Sequence, residues 1–230
     1  MSTRRFPPAI ERLRGYDTPT LANGLDPLLR RPFTTGYTRP PVHAITPELP
    51  PMLGRAVTAT IRSETPWPPR AERDEAMLEL FALLHASPEP TVLVVQDLDG
   101  ERGSGCLWGE VNATIAYALG CEGVVTDGLV RDIPEVAALG FRYLARGVGV
   151  SHAYVRVESA GEPVVVAGAY VATGDLVHAD RHGALVIPED AVADLPARAD
   201  AVIAREQSLI GWARSPEFDH ADLRRRRLDH

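Results

Sequence analysis

The chain has 230 residues, 45% of them apolar, and a formal net charge of −7. That length suits one sizeable core, and the acidic balance disfavours a general nucleic-acid binder, which relies on basic surface. All 24 basic residues are arginine. Without lysine there is no side-chain amine for an imine with a carbonyl substrate or pyridoxal phosphate, and no P-loop lysine, so those mechanisms are excluded.

The opening "MSTRRFPPAIERL" lacks the apolar stretch of a signal peptide, and no apolar run approaches the ~20 residues of a membrane span. Cys106 and Cys121 are the two cysteines. Without a CxxC pairing they argue for a reducing compartment and against a disulfide scaffold or a cysteine zinc site. The expectation is a cytoplasmic protein with neither membrane nor nucleic acid as partner.

Residues 1–30 read as a helix-rich lead-in, with Thr18 or Thr20 as a helix cap and Leu21 and Leu25 on one face. Six prolines between 31 and 51 imply an extended, irregular crossing. "GRAVTATIRSE" alternates as a strand, and "TPWPPR" is a loop. "AERDEAMLELFALLHAS" is an amphipathic helix with Ala76, Leu80, Leu83 and Leu84 along one stripe. "TVLVVQDLDG" is a buried strand, "ERGSGCLWGE" a glycine-rich turn, and "VNATIAYALG" a helix closed by Gly120. "CEGVVTDG" is the next buried strand, "IPEVAALG" a short helix between Pro134 and Gly140, and "FRYLARGVGV" a third strand. Strand–helix–strand–helix–strand over 92–145 implies a parallel βαβαβ segment. Beyond residue 155, "VRVESAGEPVVVAGAYVATGDLVHADRHGALVIP" reads as strands with tight turns, and helix resumes at "EDAVADLPARADAVIAREQSLIGWA". The fold class is α/β. The expected organisation is one domain over 1–215 and a basic tail over 216–230, where Arg224 to Arg227 read as a solvated run.

Three stretches could carry chemistry. Gly103, Gly105 and Gly109 precede a helix start at Glu110. The free amides and partial positive charge of such a start suit a carboxylate or phosphate. The spacing is not G-x-G-x-x-G, which argues against a dinucleotide site. In "VVTDGLVRD", Arg131 and Asp132 follow the neighbouring strand, and ligands gather at strand ends in parallel units. Carboxylates from two adjacent crossovers could share Mg²⁺ or Mn²⁺, which keep several waters and need few protein ligands. An adjacent arginine could pair with a substrate oxyanion. The structural alternative is that Asp132 and Glu135 form a capping box and Asp127-Gly128 a simple turn. In "GDLVHADRHGALVIP", Asp175, His178, Asp180 and His182 resemble metal ligands, but Gly183 favours a β-hairpin turning at 181–183.

Taken together, "TPTLANGLD", "GRAVTA", "GEVNATIAYALGCEGVVTDGLVRD", "LGFRYLARG" and "TGDLVHADRHGALVIP" resemble the RraA-like family in order and spacing, over roughly residues 16–190. That family holds divalent-metal 4-hydroxy-4-methyl-2-oxoglutarate aldolases and regulators of ribonuclease E activity. The resemblance implies a single-domain β/β/α swivelling-type fold and a trimer or hexamer. In its aldolase branch it implies cleavage of a 4-hydroxy-2-oxo acid to pyruvate, with oxaloacetate decarboxylation as a side activity. It assigns the metal (Mg²⁺ or Mn²⁺) to Asp132, with Glu110 acting through water. Arg131 would contact the pyruvyl part, and the amides of Val111 and Asn112, after Gly109, would hold the substrate carboxylate. Glu206 is the candidate for a glutamate reaching the metal's water shell from a neighbouring subunit. The regulator branch tends to lose the acidic residue after the arginine, so Asp132 favours the catalytic branch. A non-catalytic regulator, or a lyase or hydrolase of sugar-derived 2-oxo acids, stays open. Asn23-Gly24 replaces the family's usual Asp-Ala.

Overall fold

The computed structural model describes residues 4–29 and 32–228; Arg30 and Arg31, and the outermost ends of the expected lead-in and tail, lie outside them. Helix α1 (Pro8–Glu11) leads through a 3-10 turn into α2 (Thr18–Leu25). The cap of α2 is neither threonine. Asp17 accepts from the Thr20 amide at 2.8 Å, because Pro19 lies in the first turn and the cap must precede it. Thr18 is already helical, and its amide donates to Asp180 at 2.9 Å.

Residues 32–51 are mostly turns and bends, contribute the two-residue β1 (His43–Ala44), and bridge Tyr37 to Leu185. Next come β2 (Met52–Arg62), α3 (Arg70–Ala86) and β3 (Thr91–Asp97). The expected glycine-rich turn holds a short strand, β4 (Cys106–Trp108), before α4 (Glu110–Ala118). The next crossover runs β5 (Cys121–Thr126), β6 (Leu129–Val130), α5 (Ile133–Leu139), β7 (Arg142–Ala145) and β8 (Gly147–Val148). The strand expected over 141–150 is thus two strands belonging to different sheets. Helices α4 and α5 end where Gly120 and Gly140 take φ of +89° and +82°, the left-handed cap that glycine supplies without strain.

The rest is β9 (Arg156–Ala160), the hairpin β10 (Val164–Val166) and β11 (Ala169–Val171), the hairpin β12 (Leu176–Asp180) and β13 (Gly183–Ile187), then α6 (Leu195–Ala213) and α7 (His220–Leu228). The β12–β13 hairpin forms as expected; Asp180 pairs with Gly183, so the turn is Arg181–His182. The basic run falls in α7, where Arg226 lies 4.5 Å over the Trp212 ring.

The main sheet has the order β1-β7-β5-β3-β2-β12-β13, with β9 also paired to β2, and β2, β3, β5 and β7 are mutually parallel. Alternation along the strands builds two layers. Leu93 and Val95 face Leu80 and Leu84 of α3 and Ala113 and Ala116 of α4. Val92 and Val94 face Val164, Val166 and Val171 of the hairpin layer. A third cluster seals α2 and α6 against β12 and β13 through Leu21, Leu25, Leu176, Leu185 and Leu195. Each such buried leucine contributes roughly 1.5–3 kcal/mol relative to exposure. The result is the mixed α/β fold of the sequence reading, with helices on one face of the sheet and further strands on the other.

A second, small parallel sheet, β4-β6-β8, lies at the carboxyl ends of β3, β5 and β7. It ties together the three loops that follow those strands.

Candidate active site

The small sheet brings the two sequence candidates into contact. The Arg131 amide donates to the Trp108 carbonyl at 3.0 Å, continuing the β4–β6 pairing by one residue. Arg131 and Asp132 therefore arrive directly beside Gly109 and Glu110, where α4 starts. Asp132 takes a left-handed conformation, φ 58° and ψ 48°, which aspartate tolerates better than most residues. This turn points its carboxylate away from its own helix. The capping-box reading of Asp132 and Glu135 therefore fails: Asp132 makes no side-chain cap to α5. Its Oδ2 instead accepts from the Glu110 amide at 2.9 Å, so it caps α4 across the crossover.

Gly109 makes this approach possible. A Cβ there would lie 2.4 Å from Asp132 Oδ2 and 3.0 Å from Arg131 Nε. The Val111 and Asn112 amides sit in the first turn of α4, where no intrahelical carbonyl reaches them. Val111 is exposed. The Asn112 side chain donates to the Leu107 carbonyl at 2.7 Å, which fixes the strand-to-helix corner.

Arg131 Nε is buried without a hydrogen-bond acceptor and lies 3.7 Å from Asp132 Oδ2. The rest of the guanidinium group is partly exposed and lines the adjoining cavity, where it could meet an anionic ligand. Beneath the site, Tyr143 buries its hydroxyl without a partner. Burial pushes that hydroxyl's pKa far up, and the nearby Asp132 carboxylate pushes it further, so it stays a neutral donor. Burial likewise raises the thiol of Cys106, which keeps it protonated.

Asp132 keeps one carboxylate oxygen open. Its side chain is about two-fifths exposed, and no hydrogen bond is recorded to its Oδ1 among the described residues. The same residues hold no cluster of three or more His, Cys, Asp or Glu able to hold an ion. The open oxygen of Asp132 and the carboxylate of Glu110, whose amide Asp132 holds, could hold a hydrated Mg²⁺ or Mn²⁺, which needs few protein ligands. Glu206 lies on α6 against α2, where its Oε1 accepts from Asn23 at 3.4 Å. Nothing joins it to Asp132 among the described residues.

The residues of the late hairpin do other work. Asp180 accepts from the Thr18 and His182 amides at 2.9 and 2.8 Å, and Asp175 accepts from the Ala172 amide at 2.9 Å. His178 is fully buried and shares its Nδ1 with Thr18 Oγ1 at 3.0 Å; burial depresses its pKa to about 4.

The sequence reading missed the cavity beside Arg131. It measures about 380 Å³ and opens between α3, β4, the start of α4 and the segment 152–157. Trp67, Arg73, Asn112, Arg131, His152 and Arg156 are among its walls. The tryptophan lay in "TPWPPR", a stretch with no periodic signal, and its neighbours come from parts of the chain about 85 residues on.

Comparison with known proteins places the chain in a family. Residues 18–186 match the model of the RraA-like family, described as Aldolase/RraA. A protein of Halalkalibacterium halodurans named "Putative 4-hydroxy-4-methyl-2-oxoglutarate aldolase" is 30% identical over 111 residues, 48% of this chain and 51% of that protein. Protein DlpA of Legionella pneumophila is 25% identical over 144 residues, 61% of this chain and 23% of that protein. The chain thus spans about half the length of one curated relative and about a quarter of the other. Among solved structures, an uncharacterized protein from Pseudomonas syringae superposes with a TM-score of 0.71 at 22% identity, covering 100% of this chain and 98% of that one. Streptomyces coelicolor RraAS2, described as an unusual member of the RNase ES inhibitor RraA protein family, gives 0.68 at 23% identity, covering 94% and 100%. At these identities the structures speak for the fold. The family match spans well over half of the sequence and takes in both crossovers of the site, and on that ground the chain belongs to the RraA-like family.

Proposed function

We propose that the chain is a divalent-metal-dependent aldolase that cleaves a 4-hydroxy-2-oxo acid, such as 4-hydroxy-4-methyl-2-oxoglutarate, to pyruvate and a second carbonyl compound. Decarboxylation of oxaloacetate is its side activity. The observation that carries this reading is the contact of Arg131 and Asp132 with the start of α4, where one carboxylate oxygen is open and one guanidinium nitrogen is orphaned.

Asp132 would hold the metal, and Glu110 would act on it through water. A bound Mg²⁺ would supply Lewis acidity to the 2-oxo group, the role an imine plays in lysine aldolases. The amides of Val111 and Asn112 would bind the substrate carboxylate, aided by the partial positive charge of the helix start. Arg131 would donate to the 2-oxo oxygen as negative charge gathers there during carbon–carbon cleavage. Tyr143 and Trp108, buried behind the site, would exclude water from that charge. A homotrimer or hexamer would let Glu206 of a neighbouring copy approach the metal's waters, a role its position on exposed α6 leaves open.

The test is oxaloacetate decarboxylation, and cleavage of a panel of 4-hydroxy-2-oxo acids, with Mg²⁺ and with EDTA. Turnover should be EDTA-sensitive, and Asp132→Ala should lose at least about a hundredfold of it, the scale on which misplacing one catalytic group acts. Near-normal Mg²⁺-dependent activity of that variant would remove Asp132 from the site. Metal-independent inactivity of the wild type, together with binding to an RNA-degradation enzyme, would favour the regulator reading. That alternative has the RraA-like fold behind it.

A further inference from the structure

We propose that His152 is the proton shuttle of the cavity: its Nε2 takes the proton of the substrate's 4-hydroxyl as the carbon–carbon bond breaks, and returns it to C3 of the pyruvate enolate. The proposal rests on the 2-oxo acid site above and adds the base that aldol cleavage needs and oxaloacetate decarboxylation does not.

The chemistry asks for such a group. Cleavage breaks the O–H bond on C4 and the bond between C3 and C4. The O–H electron pair becomes the new carbonyl bond of the second product, and the C3–C4 pair becomes the enolate. Protonation of C3 then yields pyruvate, so one proton moves from oxygen to carbon and none is gained or lost. A positioned side chain that carries it lowers both barriers.

The cavity walls offer few acceptors. Besides three arginines, which stay charged, the ionisable groups lining it are Asp74, Cys106 and His152. Asp74 accepts from Arg70 and from two nitrogens of Arg73, all at 3.1 Å, and those guanidiniums hold its carboxyl below the usual range. The Cys106 thiol is kept protonated by burial. His152 is left.

Its ring is prepared for the task. Nδ1 lies 2.6 Å from the Ala153 carbonyl. A carbonyl only accepts, so Nδ1 carries the hydrogen and the lone pair of the neutral ring falls on Nε2. Ala153 has φ 44°, a left-handed conformation that residues other than glycine adopt only at a cost. The ring stacks on Trp67 at 5.5 Å, and Trp67 is itself fixed by donating from Nε1 to the Val155 carbonyl at 3.2 Å. Backbone bonds seat the segment beside Arg131. The Gly149 amide donates to the Val130 carbonyl, the Cys106 amide to the Ser151 carbonyl and the Val155 amide to the His152 carbonyl, each at 2.9 Å. Gly105 admits this approach, since a Cβ there would lie 2.7 Å from the His152 carbonyl oxygen. Arg131 and His152 thus line one cavity of about 380 Å³, room enough for the short chain between a 2-oxo group and a 4-hydroxyl.

The test compares two reactions of the Mg²⁺-loaded protein, cleavage of 4-hydroxy-4-methyl-2-oxoglutarate and decarboxylation of oxaloacetate. In His152→Gln cleavage should fall about a hundredfold or more, the scale of a lost acid–base group. Decarboxylation should fall at least about tenfold less, because oxaloacetate has no hydroxyl proton to give up. Added imidazole should restore at least about tenfold of the cleavage lost in His152→Ala, which a residue that only shapes the wall would not allow. Normal cleavage by the variants, equal loss of both reactions, or absence of imidazole rescue would overturn the shuttle and leave the aldolase reading standing. A wild type that decarboxylates but cleaves no 4-hydroxy-2-oxo acid overturns the shuttle too. A wild type without EDTA-sensitive turnover of either substrate sinks both readings.

Discussion

The sequence offers Asp132 two rival readings, a helix cap or part of a site. Read along the chain, it is a helix cap followed by Pro134 and Glu135. Folded, it caps a different helix, because the left-handed turn at Asp132 aims its Oδ2 at the Glu110 amide. Local spacing reveals that a carboxylate sits at a helix start; which helix it serves depends on a contact across 22 residues. Gly109 is the corresponding constraint on the other side. In Gly109→Ala the new methyl would meet Asp132 Oδ2 at 2.4 Å, and the short aspartate side chain would have to abandon the Glu110 amide. Loss of that cap costs roughly 1 kcal/mol, whereas displacing the carboxylate by about an ångström costs on the order of a hundredfold in rate. The variant should therefore melt near the wild type and yet lose most Mg²⁺-dependent decarboxylation. Wild-type kinetics in Gly109→Ala would show that the close approach is not needed.

At the scale of elements, the long periodic segments were legible. The helix over 70–86, the buried strands at 91–97 and 121–126, and the late hairpin all follow from apolar spacing and glycine stops. The strands β4, β6 and β8 were not, since two or three residues carry no period, and they exist only through pairing with one another. The Trp67 wall was hidden for the same reason: it is assembled where α3 packs against β9, far apart in sequence. The α2 cap was misplaced by one to three residues although Pro19 marked the boundary. Asn23-Gly24, the departure from the usual family pattern, has a packing counterpart. A Cβ on Gly24 would lie 3.2 Å from Leu195 Cδ1 and 3.3 Å from the Ala199 nitrogen, so α2 and α6 approach closely there. Gly24→Val should overpack this contact and cost roughly 1–3 kcal/mol, seen as a lower midpoint in thermal unfolding. An unchanged midpoint would mean that α6 shifts freely.

For the molecule as a whole, two buried groups give opposite slopes of stability against pH. His178 has its folded pKa depressed by burial to about 4, below the unfolded value near 6.5. Its contribution is complete above pH 6.5 and is lost as pH falls towards 4. Asp97 is buried under the loop at 99–103, with the Asp99 and Asp127 carboxylates close by and one oxygen unpaired. Burial raises its pKa to about 6, so the folded state favours the protonated form. Its penalty is absent below about pH 4, grows as pH rises, and is complete above 6. Each shift of about two units corresponds to roughly 3 kcal/mol. Between pH 4 and 6 the two therefore partly cancel. Asp97→Asn should raise stability at pH 7.5 and make the loss on acidification steeper than in the wild type, as followed by denaturant unfolding across pH. A parallel pair of curves would show that folding leaves the Asp97 carboxyl at its unfolded pKa.

The three-strand sheet has one more implication. The Gly149 amide donates to the Val130 carbonyl at 2.9 Å, one residue before Arg131, and the Cys106 amide donates to the Ser151 carbonyl at 2.9 Å, one residue before His152. The two ends of the cavity therefore hang on a single hydrogen-bonded splint. A substitution that breaks this splint would loosen the Arg131 corner and the His152–Trp67 contact together.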